Sequence, residues 1–158
     1  MMASMVPAGK SDIPTTRVPA ARPAGNAASI RATAHALSKV GSAAAVVLVE
    51  GISDEIALET AAECRGRDLT AEQVVIVPIG GAHAIGNFLT RLRPHHPRLR
   101  LTGLCDLREE EIFRRALDVL HPGSVRDRAD MERIGFHVCV EDLEHAPCPP
   151  ARRGVGRP

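Results

Sequence analysis

The stretch Ala45-Val46-Val47-Leu48-Val49-Glu50-Gly51-Ile52-Ser53-Asp54-Glu55 decides the fold. Five uninterrupted apolar residues, three of them valine, stop at an acid and a glycine. A continuous β-branched run of this length suits the central strand of a parallel sheet, buried on both faces. Ser53 supplies an N-cap for a helix over about 54–65. A strand that passes through a short turn into a helix is the first half of a βαβ unit.

Working outward, the alternation repeats. Val74 to Val77 predicts a second strand, closed by Pro78 and a Gly80-Gly81 turn. Ile85, Phe88, Leu89 and Leu92 fall on one helical stripe, and Leu99 to Cys105 predicts a third strand ending at Asp106. Ile112, Phe113, Ala116, Leu117 and Leu120 mark the next helix, and residues 136–140 a fourth strand. Upstream, Ile30, Ala34 and Leu37 allow a short helix before Gly41-Ser42. The expected architecture is α/β: about four parallel strands flanked by helices and joined by right-handed crossovers, Rossmann-like. Residues 1–26, broken by four prolines, and 147–158, rich in Pro and Arg, read as disordered. Residues 27–44 read as helix and linker, and 45–146 as the folded domain.

Composition narrows the function. The 158 residues include three Phe, no Trp and no Tyr, which argues against reading single strands on aromatic platforms. No apolar run approaches the roughly 20 residues of a membrane helix. No secretory signal is visible, so a reducing cytoplasm is the expectation. Four widely spaced cysteines without a C-x-x-C pair indicate neither a zinc site nor a disulfide framework. The net charge of +1 hides an asymmetry, for residues 45–147 hold twelve Arg against eighteen acids and no lysine. Such a domain does not hold a polyanion by overall charge; if it acts on nucleic acid or nucleotides, a divalent cation must mediate the approach.

Ligands in parallel sheets bind beyond the carboxyl ends of the strands. Three of the four predicted ends carry acids, at Glu50, at Asp106 and in Glu141-Asp142-Leu143-Glu144, and the fourth carries Gly80-Gly81. Unpaired carboxylates at the end of buried strands are costly, and like charges held close need a cation to neutralise them. Mg²⁺, or Mn²⁺ in its place, suits such an oxygen donor set. Asp54, four residues after Glu50, can face the same ion. Each position also has a plainer reading. Glu50 could pair with an arginine, Asp106 could cap the next helix, and Asp54 could complement a helix dipole. The glycines could serve only as a turn, Glu144 could lie in a solvated turn, and His137 could be a core histidine.

Val49-Glu50-Gly51-Ile52-Ser53-Asp54 resembles the signature that opens the TOPRIM domain, found in topoisomerases, bacterial primases and OLD-family nucleases. Residues 77–81 resemble the turn after its second strand, Leu104-Cys105-Asp106 the start of its Asp-x-Asp motif, and residues 140–144 the Asp-Leu-Glu element of OLD-type domains. The resemblance spans about 45–145. It implies that Glu50 and Asp106 are catalytic, with Glu50 as general acid or base. It also implies that Glu50, Asp54, Asp106 and Glu144 hold Mg²⁺, and that the chemistry is two-metal phosphodiester hydrolysis or nucleotidyl transfer. The substrate it implies is nucleic acid, DNA ahead of RNA. Gly80, Gly81 and Arg108 are the candidate phosphate contacts.

The departures are specific. Arg108 stands where the second aspartate is expected, with Glu109 and Glu110 following as possible shifted carboxylates. The late lysine of OLD-type nucleases is missing. No Walker A motif is present, so a standalone TOPRIM unit is expected and any ATPase would be a separate partner. The alternative function is a catalytically degenerate TOPRIM module with a binding or regulatory role. A flavodoxin-like phosphotransferase ranks last, because its nucleophilic Asp should follow the first strand, where this chain has Glu50.

Overall fold

The computed structural model describes residues 24–95 and 98–140. Helix α1 (Ala24–Lys39) runs through a 3₁₀ turn (Val40–Ser42) into strand β1 (Ala45–Val49), and helix α2 (Ile52–Cys64) leads to β2 (Val74–Pro78). A second 3₁₀ turn (Ala82–Ala84) opens α3 (Ile85–His95), followed by β3 (Arg100–Asp106), α4 (Glu110–Leu120), α5 (Arg128–Arg133) and β4 (Phe136–Cys139). All strand pairs are parallel, in the order β2-β1-β3-β4. The expected α/β architecture is the one observed, with each strand within a residue of its predicted bounds.

Side chains alternate across the sheet, and the two faces differ. Val46, Leu48, Val77 and Phe136 join Ile85, Leu89 and Leu92 of α3, Phe113 and Leu117 of α4, and Met131 of α5 in one core. On the other face α2 lies over Val47, Val74 and Ile76, and the groove beside it continues onto Thr102, Leu104 and His137. His137 is therefore exposed rather than a core histidine; none of the described helices covers that half of the sheet. Helix α1 packs along edge strand β2, where the Thr33 hydroxyl donates to the Pro78 carbonyl at 2.5 Å. That covers backbone which an edge strand otherwise leaves open to another chain.

Other local expectations are corrected. Helix α2 begins two residues early, with Gly51 as N-cap; Ser53 lies inside the helix because Asp54 already satisfies the end of the chain turn. The connection before β4 contains α5, capped by the Asp127 carboxylate accepting from the Asp130 amide at 2.9 Å. Cys105 and Cys139 are free thiols, but Cys64 is disulfide-bonded. Spacing along the chain does not limit which cysteines meet in space, so the expected absence of a disulfide does not hold. No helix among the described residues is long and apolar enough to cross a membrane.

Candidate metal centre at the carboxyl edge of the sheet

The chain leaves β1 toward β2 and leaves β3 toward β4, so the strand order reverses between β1 and β3. A crevice opens at such a point, beyond the carboxyl ends. Leu48 pairs with Gly103, which puts Glu50, two residues on, and Asp106, three residues on, at the same edge. The register continues with Asp106 beside Cys139 of β4.

Glu50 is fixed from its backbone. The Gly80 and Gly81 amides both donate to the Glu50 carbonyl at 3.0 Å, and the Ile79 amide donates to Val49 at 2.9 Å. The two glycine amides expected to meet a phosphate are thus engaged with Glu50 here. Positive φ at both glycines, +78° and +119°, makes the turn possible. The half-buried Glu50 carboxyl is raised above its ordinary value, first by burial and then by the charges of Glu109, Asp106 and Asp54. Four carboxylates therefore share one electrostatic neighbourhood, and none of them is ion-paired among the described residues.

Asp54 is half-buried on the first turn of α2, where its Oδ2 accepts the Gly51 amide at 2.9 Å. Asp106 ends β3 exposed, and its carbonyl accepts the Glu109 amide at 3.0 Å, closing a turn over Leu107 and Arg108. Arg108 is exposed on that turn. Glu110 pairs with Arg128 of α5, and Glu111 with Arg114 and Arg115. Burial pushes the Cys105 thiol up to about 12, which keeps it protonated as a packing group. The half-buried Cys139 thiol is also raised, by burial first and then by Asp106 and Asp54.

The sequence reading placed Glu50, Asp54 and Asp106 together, and the fold brings them into one neighbourhood. Glu144 lies outside the described residues. Of the two glutamates offered as shifted carboxylates, Glu109 lies in this neighbourhood, its charge acting on Glu50, whereas Glu110 is tied to Arg128. By donor chemistry the group suits Mg²⁺ or Mn²⁺, hard cations that take carboxylate oxygens. It is not gathered into a coordination sphere: among the described residues no group of three or more His, Cys, Asp or Glu is placed to hold an ion. One physical reason is that Asp54 Oδ2 is turned onto Gly51.

Residues 43–98 match the model of the overcoming lysogenization defect protein-like family, TOPRIM domain. The fold is similar to the C-terminal region of the Xanthomonas campestris pv. campestris OLD protein, solved with platinum phasing. The TM-score is 0.58 at 20% identity, covering 67% of this chain and 54% of that one. The iodine- and mercury-phased structures of the same region give 0.55 at 20% and 0.52 at 23% identity, each covering 65% of this chain and 54% of the other. The chain thus spans about half the length of the structures it matches. No curated protein matches it. Over residues 43–98 this chain is similar in sequence to the OLD-like TOPRIM domain, and its fold is similar to that of the C-terminal region of the OLD protein.

Proposed function

We propose that this chain is a divalent-metal-dependent phosphodiester hydrolase acting on nucleic acid, DNA ahead of RNA. The observation that supports the reading is that Glu50, at the carboxyl edge of β1, feels the charges of Asp106 at the end of β3 and of Asp54 on the first turn of α2, none of them ion-paired among the described residues. Glu50, Asp54, Asp106 and, from beyond the described residues, Glu144 are the residues to hold Mg²⁺. Bound there, the cation would supply charge neutralisation for the phosphate oxygens and for the attacking and leaving oxygens.

The chain's own groups supply the rest. Glu50, held by the Gly80 and Gly81 amides, takes the proton of the attacking water at a carboxylate oxygen. Its raised pKa brings it nearer the working range of a general base. The new oxygen–phosphorus bond forms as the opposite one breaks, and the leaving oxygen collects a proton from solvent or from protonated Glu50. Arg108, exposed on the turn after β3, offers a guanidinium to a neighbouring phosphate. The acidic surface makes the approach of a polyanion depend on the cation.

A second reading, a metal-free binding module that is catalytically degenerate, is favoured by the ungathered carboxylates and by Arg108 in place of an acid. Nicking of supercoiled plasmid with Mg²⁺ or Mn²⁺ separates the two. The hydrolase nicks, and loses this with Glu50→Gln or Asp106→Asn. A wild type with neither nicking nor saturable Mn²⁺ binding by calorimetry is the module. An ATPase partner is sought by co-purification.

A further inference from the structure

We propose that residues 141–148 form an extended strap across the open half of the sheet, fastened at its far end by a disulfide between Cys148 and Cys64. The inference goes beyond the hydrolase reading and does not depend on it.

The partner of Cys64 follows by elimination. The chain holds four cysteines, at positions 64, 105, 139 and 148. Cys105 and Cys139 are free thiols. Cys64 is disulfide-bonded in a structure that contains this one chain, so Cys148, outside the described residues, is the thiol left to it.

The groove beside Cys64 suits such an occupant. Parallel sheets usually carry cover on both faces, but on this side α2 lies over β1 and β2 alone. The rest is a groove of about 850 Å³ running over Thr102, Leu104 and His137. Four arginines line it, Arg65, Arg67, Arg100 and Arg133, against one acid, Glu72. Arg67 already pairs with Glu72, whereas Arg65 and Arg100 have no ion pair with a described residue. Residues 141–147 read Glu-Asp-Leu-Glu-His-Ala-Pro. They offer three acids to the arginines, one leucine to the apolar floor, and neither Lys nor Arg.

Chain length sets the path. Strand β4 ends at the carboxyl edge, where Cys139 pairs with Asp106. Helix α2 starts at that edge and runs back, its 13 residues ending at Cys64, about 20 Å away at 1.5 Å each. Eight steps lead from Val140 to Cys148, which extended reach roughly 26–29 Å. Eight helical residues would span about 12 Å and fall short. A near-extended course bridges the two ends, and it crosses the groove. Glu144 is then held over the sheet while the bond is closed and released toward the carboxyl edge when it opens. Opening is exchange with a dithiol. Its thiolate attacks one sulfur, and the other sulfur leaves as a thiolate and is protonated. The second thiol of the reagent then completes its own disulfide, so the cysteine pair gains two electrons and two protons.

The test uses the full chain in two forms, oxidised with glutathione disulfide and reduced with dithiothreitol, alongside Cys148→Ser. Thermal melts first show each to be folded. Peptide mapping of the oxidised form by mass spectrometry should find Cys64 linked to Cys148. Diethyl pyrocarbonate should then label His137 at least fivefold more slowly in the oxidised form than in the reduced form or in Cys148→Ser. His83, exposed outside the groove, should keep one rate throughout. No link at Cys64, or a link to any other cysteine, a second copy's included, overturns the inference. So does a Cys64–Cys148 link with His137 labelled equally fast in both forms, since the strap would then run elsewhere. Plasmid nicking is not a readout here, so the hydrolase reading stands or falls by its own test.

Discussion

Asp54 closes the first turn of α2 by accepting the backbone amide of Gly51 at 2.9 Å. One carboxylate thus has a structural use and faces the group proposed to hold metal. The amide is one of the donors a helix start leaves without an intrahelical partner, and an acid at this position also complements the helix dipole. The two uses separate by substitution. Asp54→Ala removes the cap and should lower stability in EDTA by about 1 kcal/mol. Asp54→Asn keeps an oxygen acceptor and should cost clearly less. Both should weaken Mn²⁺, since both remove the charge. Urea melts with EDTA, paired with Mn²⁺ titrations, check this; equal stability losses for Ala and Asn would count against the cap.

Glu50 makes the fold sensitive to pH. Burial and three neighbouring acids raise its folded-state pKa above the ordinary 4.5, so the folded chain binds that proton more tightly than the unfolded chain does. Ionised Glu50 therefore destabilises the metal-free fold at any pH above the raised value. The penalty fades as pH falls through that value toward 4.5. Glu50→Gln should be more stable than wild type at about pH 7 in EDTA, with the difference gone by about pH 4. Saturating Mn²⁺ should reverse the order, because a ligand of the native state stabilises only the chain that binds it. A Glu50→Gln protein less stable than wild type in EDTA at neutral pH would contradict the assignment.

Gly103 lets β3 and β4 approach. A Cβ built there would lie 2.7 Å from Cδ1 and Cε1 of Phe136 and 3.1 Å from the Leu48 carbonyl oxygen. Phe136 is 3% exposed and its ring has nowhere to move. Gly103→Ala should cost about 1–3 kcal/mol by overpacking. Shrinking the ring with Phe136→Leu should absorb part of that cost, giving a coupling of at least about 0.5 kcal/mol in a double-mutant cycle. Additive losses would show that the close contact is not the cause.

The elements that were legible in the sequence are those whose pattern is long enough to carry a period. The valine-rich β1 and the stripe Ile85, Leu89 and Leu92, all buried on α3, needed no tertiary information. Helix α5 did, since six residues hold too few apolar positions; only the Asp127–Asp130 capping spacing marked it. The exposure of His137 depends on which half of the sheet α2 covers, a consequence of strand order rather than of β4 itself. The same division holds at the site. Glu50 and Asp106 were readable as acids ending buried strands. The placing of Glu109 depends on whether β3 continues past Asp106 or turns, and a single backbone hydrogen bond decides that.

Gly81 ties the second strand to the proposed base. Its φ of +119° and ψ of 147° lie in a region that only glycine enters readily, and its amide is one of the two that hold the Glu50 carbonyl. Gly81→Ala finds open space for its Cβ, so its cost comes from the backbone alone, about 1–3 kcal/mol. The turn can relieve that strain only by rotating, which withdraws the amide from Glu50. Gly81→Ala should therefore remain folded at low temperature and still bind Mn²⁺ within a fewfold of wild type, while plasmid nicking falls at least tenfold. Nicking retained at the wild-type rate in a destabilised Gly81→Ala protein would show that the turn serves the fold and does not position Glu50.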